Sequence, residues 1–318
     1  ELALRLAREH TKAKGMITMD HGYFGNTTGA IDISAYKFNK PGGVGQPDWL
    51  ELVEIPDDYR GTYKKEDPNR GEKFAGQINQ AIEKLKSKNQ NLCGFIAETF
   101  PSVGGQIITP PGYLAEVYRQ IRESGGVCIA DEVQTGLGRL GNHYFGFEYQ
   151  KVCPDIVVLG KPIGNGHPVG VVATTKEIAN NFDNGIEFFS TFGGSTLSCA
   201  IANEVIEIVE DESLQSNARK MGEKLKTGLK NLQNKYDSIG DVRGMGLFVG
   251  IELIDENGKE NTRLCTFVKN RMRDFRILIG SEGPMDNILK IRPPLSIELE
   301  GINMIIDTLD AILKEETI

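Results

Sequence analysis

The chain is poor in the residues that build covalent or metal frameworks. Its five cysteines, Cys93, Cys128, Cys153, Cys199 and Cys265, form no C-x-x-C pair, and several sit inside apolar runs. This argues against a disulfide scaffold and reads as buried free thiols in a reducing cytoplasm. The four histidines, His10, His21, His143 and His167, lack metal-ligand spacing, so no metal site is expected. No apolar run approaches the roughly 18 residues that a membrane span requires, and the opening residues carry no secretory pattern. A basic excess is missing too. With 36 Lys and Arg against 44 Asp and Glu the net charge is −8, which disfavours nucleic-acid and anionic-membrane partners.

The 318 residues, 39% hydrophobic and 25% charged, have the composition of a soluble globular protein with ample material for a core. The first ten, ELALRLAREH, begin inside an amphipathic helix with Leu2, Leu4, Leu6 and Ala7 crowding one side, and no initiator Met or N-cap precedes them. The chain is therefore read as N-terminally incomplete. From 16 to 175 helices and strands alternate. KFAGQINQAIEKLKSK places Phe74, Ile78, Ala81, Ile82 and Leu85 on one helical face, and GYLAEVYRQIRES does the same with Leu114, Val117, Tyr118 and Ile121. LCGFIAE, GVCIADE, PDIVVLGK and GVVATT are short apolar runs of buried-strand type. The pattern predicts an α/β fold, with a parallel or mostly parallel sheet covered by helices. Residues 36–72, rich in turn formers, read as a long loop near the active site or a subunit interface. Long amphipathic helices and the strands LFVGIELI and ILKI follow position 198. The expected domains are a large one over 1–197 and, after a linker helix, a smaller α+β one within 198–318.

Ligands of such sheets gather beyond the carboxyl ends of the strands. There GVCIADE ends in Asp131 and Glu132, and the next strand, DIVVLG, ends in Lys161, within GKPIGNGHPVG. A carboxylate and an amine delivered to one end of a sheet read either as a buried ion pair or as a reactive couple. Desolvation makes buried pairs weak stabilisers, which favours the functional reading. Chemistry that needs both is pyridoxal phosphate catalysis, in which a lysine holds the cofactor and an acid keeps the pyridine nitrogen protonated.

IADEVQTGLGR followed by DIVVLGKPIGNGHPVG resembles the class III aminotransferase family, of fold type I among enzymes that use pyridoxal 5'-phosphate (PLP). DHGYFGNTTG, AETFPSVGGQI, STFGGSTLSCA, DVRGMGLFVGIEL and LKIRPPL resemble the same family in the same order. The resemblance covers nearly the whole chain. It implies that Lys161 is the Schiff-base lysine and Asp131 the partner of the pyridinium nitrogen. It places Gln134 near the phenolic oxygen, Val133 on one face of the ring and Tyr23 on the other, where a core tyrosine is the alternative. Thr191 is similar to a threonine that reaches the cofactor phosphate of a neighbouring subunit, which implies a homodimer with shared sites. Glu98 aligns with a glutamate near the substrate; a solvated or salt-bridged glutamate is the other reading.

Two departures stand out. The family's small-residue phosphate loop has no counterpart here, and Glu1 reads as falling just after it. Many members also carry an arginine three residues before the paired prolines, where a fork holds a substrate carboxylate. This chain has Lys290 there, a point charge and not an equivalent fork, with Arg292 as the candidate substitute. The wording of GKPIGNGHPV, VGGQIITPPGYL and LKIRPPL is similar to the ethanolamine-phosphate phospho-lyase subgroup, whose substrate has no carboxylate. Transamination and elimination of phosphate from a phosphorylated amine both stand as expectations. A catalytically inactive homologue acting as a binding subunit is the alternative of another class.

Overall fold

A computed structural model describes residues 1–316. It divides into two compact units. The first comprises Glu1–Thr99, Thr109–Gly136 and Phe145–Glu207, and the second Phe100–Ile108, Leu137–Tyr144 and Ile208–Ile318.

The first unit is built on a six-stranded sheet. Its strands are β1 (Gly15–Met19), β2 (Leu50–Val53), β3 (Leu92–Glu98), β4 (Val127–Asp131), β5 (Ile156–Leu159) and β6 (Val171–Thr174), in the order β2-β1-β3-β4-β5-β6. All neighbours are parallel except β5 and β6. The sheet is thus mostly parallel, as the alternating pattern predicts. Strand alternation sends Ile17, Met19 and Cys128 to one face, against the helices Gln77–Ser87 and Tyr113–Glu123. It sends Met16, Val127 and Ile129 to the other face, with the helix Leu2–Thr11. The apolar positions expected on the helices at 70–87 and 113–123 are all buried.

Two details differ from the sequence reading. The stretch 36–72 is not loop throughout, because Leu50–Val53 forms the edge strand β2. Four residues between proline- and glycine-rich turns are too few to carry a periodic signal. The strands β5 and β6 are also only half covered. Ile156 is buried in the core under the first helix, with Val158 and Val172 partly buried beside it, and Val157, Leu159 and Val171 on the opposite face are also only partly buried.

The second unit is α+β. Its antiparallel sheet has the order β7-β8-β10-β9, from β7 (Ile239–Met245), β8 (Phe248–Leu253), β9 (Gly280–Glu282) and β10 (Ile288–Ile291). Helices Leu214–Lys235, Thr262–Asp274 and Leu299–Glu316 share one core with it, which includes Leu225, Leu229, Val249, Val268, Ile302 and Leu309. Among the described residues no helix is long and apolar enough to cross a membrane.

The β7–β8 turn touches the long helix so closely that a Cβ on Gly222 would lie 2.1 Å from the Gly246 carbonyl oxygen. Backbone cannot yield as a flexible side chain can. Gly222→Ala is therefore expected to destabilise this unit by about 1–3 kcal/mol, the usual cost of overpacking. Urea denaturation would measure it, and an unchanged midpoint would show that the turn shifts freely.

Candidate active site

Four of the parallel strands deliver polar groups to one edge of the first sheet. Asp131 is the last residue of β4 and Glu98 the last of β3, and the two are register partners. By alternation they continue the face of Ile129 and Ile96. Tyr23 lies in the loop that follows β1, and Lys161 follows β5. Tyr23, Glu98, Asp131, Val133, Gln134 and Lys161 are thus brought to one edge.

Asp131 is only 7% exposed. Its Oδ1 accepts the backbone N–H of Val133 at 2.9 Å. Burial raises its pKa to about 6; the Val133 N–H and the Lys161 charge oppose that rise, and Glu132 adds to it. Lys161 itself is exposed and opens a 3₁₀ turn, Lys161–Gly164. Its φ of 42° lies in the left-handed region, which costs a non-glycine residue of order 1–3 kcal/mol. Strain of this kind persists only where the surroundings enforce it, and here it falls on the lysine that follows β5.

Glu132, named in the sequence only as the neighbour of Asp131, proves to be the anchor of the loop. It is fully buried and accepts four hydrogen bonds: from Thr99 Oγ1 at 2.9 Å, Thr135 Oγ1 at 2.6 Å, Gly146 N at 2.9 Å and Phe147 N at 3.0 Å. Burial raises its pKa and the four donors oppose the rise. The carboxylate ties the end of β3, the segment 133–135 and the turn at 146 into one piece. It thereby holds Val133 and Gln134, both half-buried, beside Asp131. Apart from Thr135, the donors come from segments 14 or more residues away, so no short spacing in the sequence could announce this role.

Tyr23 is half-buried rather than a core tyrosine. Its ring meets that of Tyr36 edge to face at 6.1 Å. Glu98 is 6% exposed, which rules out a solvated surface glutamate. Thr191 is exposed, on a segment that also exposes Phe188, Phe189 and Phe192. Lys290 and Arg292 belong to the second unit. Lys290 on β10 is ion-paired with Glu282 on the neighbouring β9, both largely buried, so its charge is already matched. Any role of Lys290 toward substrate would therefore compete with this pair. The pairing partner lies eight positions away, across a turn that the sequence pattern did not resolve. The strand β10 ends at Ile291, and Arg292 lies beyond it. Its charge, with burial as the larger cause, lowers the pKa of Arg139 to about 10.

The residues at the edge of the first sheet fit pyridoxal phosphate. A desolvated carboxylate such as Asp131 is most stable opposite a cation, and a protonated ring nitrogen is one. An amine stands at the end of the adjacent strand, and Val133 offers an apolar surface.

Comparison with known proteins agrees. The aminotransferase class-III family matches residues 1–313. Alanine–glyoxylate aminotransferase 2-like of Drosophila melanogaster is 46% identical over 308 residues, covering 95% of this chain and 62% of its own length. Ethanolamine-phosphate phospho-lyase homolog 1 of Caenorhabditis elegans is 38% identical, over 98% of the chain and 70% of its own length. The chain thus spans about two thirds of these relatives. A solved phospholyase from Arthrobacter, in complex with phosphoethanolamine, superposes with a TM-score of 0.91 at 34% identity, covering 98% of this chain and 74% of that one.

The raised pKa of Asp131 carries a stability consequence. The unfolded chain binds this proton near pH 4 and the fold binds it near 6, so ionised Asp131 costs the cofactor-free protein stability above pH 6, and the cost fades as the pH falls towards 4. Asp131→Asn should then stabilise the cofactor-free protein by about 2–3 kcal/mol at pH 8 and by almost nothing at pH 4. Denaturation midpoints across that range would check it. A loss of stability at pH 8 would mean that the attraction of Lys161 outweighs desolvation.

Proposed function

Because the chain belongs to the class III aminotransferase family, we propose that it is an enzyme that binds pyridoxal phosphate and eliminates phosphate from a phosphorylated primary amine such as phosphoethanolamine. The observation that carries the cofactor reading is the buried carboxylate of Asp131 within electrostatic reach of Lys161. The substrate reading is supported by two relatives, one named a phospho-lyase and one solved with phosphoethanolamine. The matched charge of Lys290 also supports it, since no fork for a substrate carboxylate stands at that position. Transamination is the second reading, favoured by the name of the fly relative.

When bound, the cofactor supplies a ring that withdraws electrons from the carbon beside the substrate nitrogen. Lys161 Nζ would hold the cofactor and would serve as the base that takes the proton from that carbon. Asp131 keeps the ring nitrogen protonated, and its own desolvation strengthens that interaction. Val133 and Tyr23 would cover the two faces of the ring against water, and Gln134 would lie near its phenolic oxygen. Glu98 lies beside the reacting amine. The overall change is phosphoethanolamine and water to acetaldehyde, ammonia and phosphate. In transamination Lys161 would act as base and then as acid, moving the same proton.

In this reading the large cofactor domain spans 1–197 and the smaller domain 198–318. The enzyme is a homodimer in which Thr191 reaches the neighbour's cofactor phosphate, and the exposed Phe188, Phe189 and Phe192 around it support burial against a second copy. The five free cysteines suit a reducing cytoplasm.

The full-length holoenzyme should release inorganic phosphate from phosphoethanolamine without a keto acid. Lys161→Ala should abolish the borohydride-sensitive absorption band and lower turnover by at least about 10³-fold. Transamination of alanine or glutamate with no phosphate release would sink the elimination reading. Absence of the band would favour an inactive binding subunit.

Mixed dimers test the shared site. Lys161→Ala and Thr191→Ala protomers, each impaired alone, should regain activity when recombined, because one hybrid site is then intact. Confirmed mixed dimers that stay inactive would place each site within one chain.

A further inference from the structure

Beside Tyr23 lies a pair of lysines that the reaction as described does not use. The segment Ser34–Lys40 folds back on the loop after β1: Tyr36 N donates to Gly22 O at 3.3 Å, and Phe24 N donates to Ser34 Oγ at 3.0 Å. This lays the Tyr36 ring edge-on to that of Tyr23. Lys37 Nζ sits 5.5 Å from the Tyr23 ring centre and 5.4 Å from that of Tyr36, and Lys40 Nζ sits 3.9 Å from the Tyr36 ring.

Among the described residues, neither ammonium is in an ion pair with a carboxylate, unlike Lys73, Lys88, Lys235 and Lys290. Aromatic faces hold a cation in place without neutralising it, so both charges stay available to an anion. An incoming phosphate monoester is close to a dianion at neutral pH. It must approach a chain of net charge −8, at a sheet edge that already presents Glu98 and Asp131. Unscreened, those carboxylates would repel it. Two point charges beside the residue proposed to cover the cofactor ring reverse that field locally, and lysine is suited to phosphate in this way.

We infer that Lys37, assisted by Lys40, binds the phosphate group of the substrate and sets the preference for phosphorylated over unmodified amines. The inference rests on the proposed reaction for its substrate. It differs from that reading in naming the residues that recognise the leaving group.

The test uses the full-length holoenzyme with inorganic phosphate as the probe. Phosphate should inhibit the wild type competitively against the amine substrate. In Lys37→Met, which keeps the apolar stem over the rings, the inhibition constant for phosphate and the KM for phosphoethanolamine should each rise at least about 10-fold, and further in the Lys37→Met/Lys40→Met variant, with kcat changed far less. Lys37→Arg should stay within a few-fold of wild type, which separates charge from packing. Both lysines are exposed, so melting temperatures should not move. Wild-type phosphate release combined with an unchanged KM and inhibition constant in the double variant would overturn the inference and leave the reaction standing. Failure of phosphate to inhibit the wild type would overturn it as well. If the wild type releases no phosphate yet is inhibited by it through Lys37, the proposed reaction falls and the phosphate subsite stands.

Discussion

A carboxylate stripped of water at the end of a parallel strand is the constraint around which the first unit is arranged. Asp131 cannot be stable there by itself, because burial penalises its charge and the adjacent Glu132 adds to the penalty. One backbone N–H and the nearby Lys161 offset only part of this. A protonated ring nitrogen would offset the rest, which is why the site fits the cofactor better than it fits an ordinary ion pair. Glu132 faces the same difficulty and meets it differently, with four neutral donors drawn from three segments. One buried acid is satisfied by the protein and serves structure. The other keeps part of its desolvation cost uncompensated, which suits the cofactor role proposed for it.

The same contrast recurs among the cations. Lys290 is matched by Glu282 across two short strands, and the guanidinium of Arg139 is spent on the backbone carbonyls of Leu247 and Pro293, at 3.2 and 2.9 Å. Lys37 and Lys40 are held by rings instead. Held over rings and in no ion pair among the described residues, Lys37 and Lys40 keep their charge for an anion. Their location beside Tyr23 puts them at the sheet edge that also carries Glu98, Asp131 and Lys161.

Much of this was legible before any coordinates. The alternation of amphipathic helices with short Val- and Ile-rich runs points to a mostly parallel sheet, because helical crossovers join parallel neighbours and cover the sheet. The strand ends then locate Asp131, Glu98 and Lys161, since side chains at the carboxyl edge of such a sheet need no further information to be gathered there. Family motifs suggested the proposed roles of Val133, Gln134, Tyr23 and Thr191. The edge strand β2 was missed because four residues between turns leave no period to detect.

The sequence by itself determined the fold class, through local periodicity, and the family, through its motifs, and the strand ends named the candidate site residues. Only the tertiary structure decided how each charge is used. Whether a carboxylate is anchored, like Glu132, or left for a ligand, like Asp131, depends on donors from segments far apart in the chain. Whether a lysine is neutralised, like Lys290, or held over rings, like Lys37, depends on which side chain packing brings within a few ångströms, and Coulomb and hydrogen-bond energies change by several-fold over that distance.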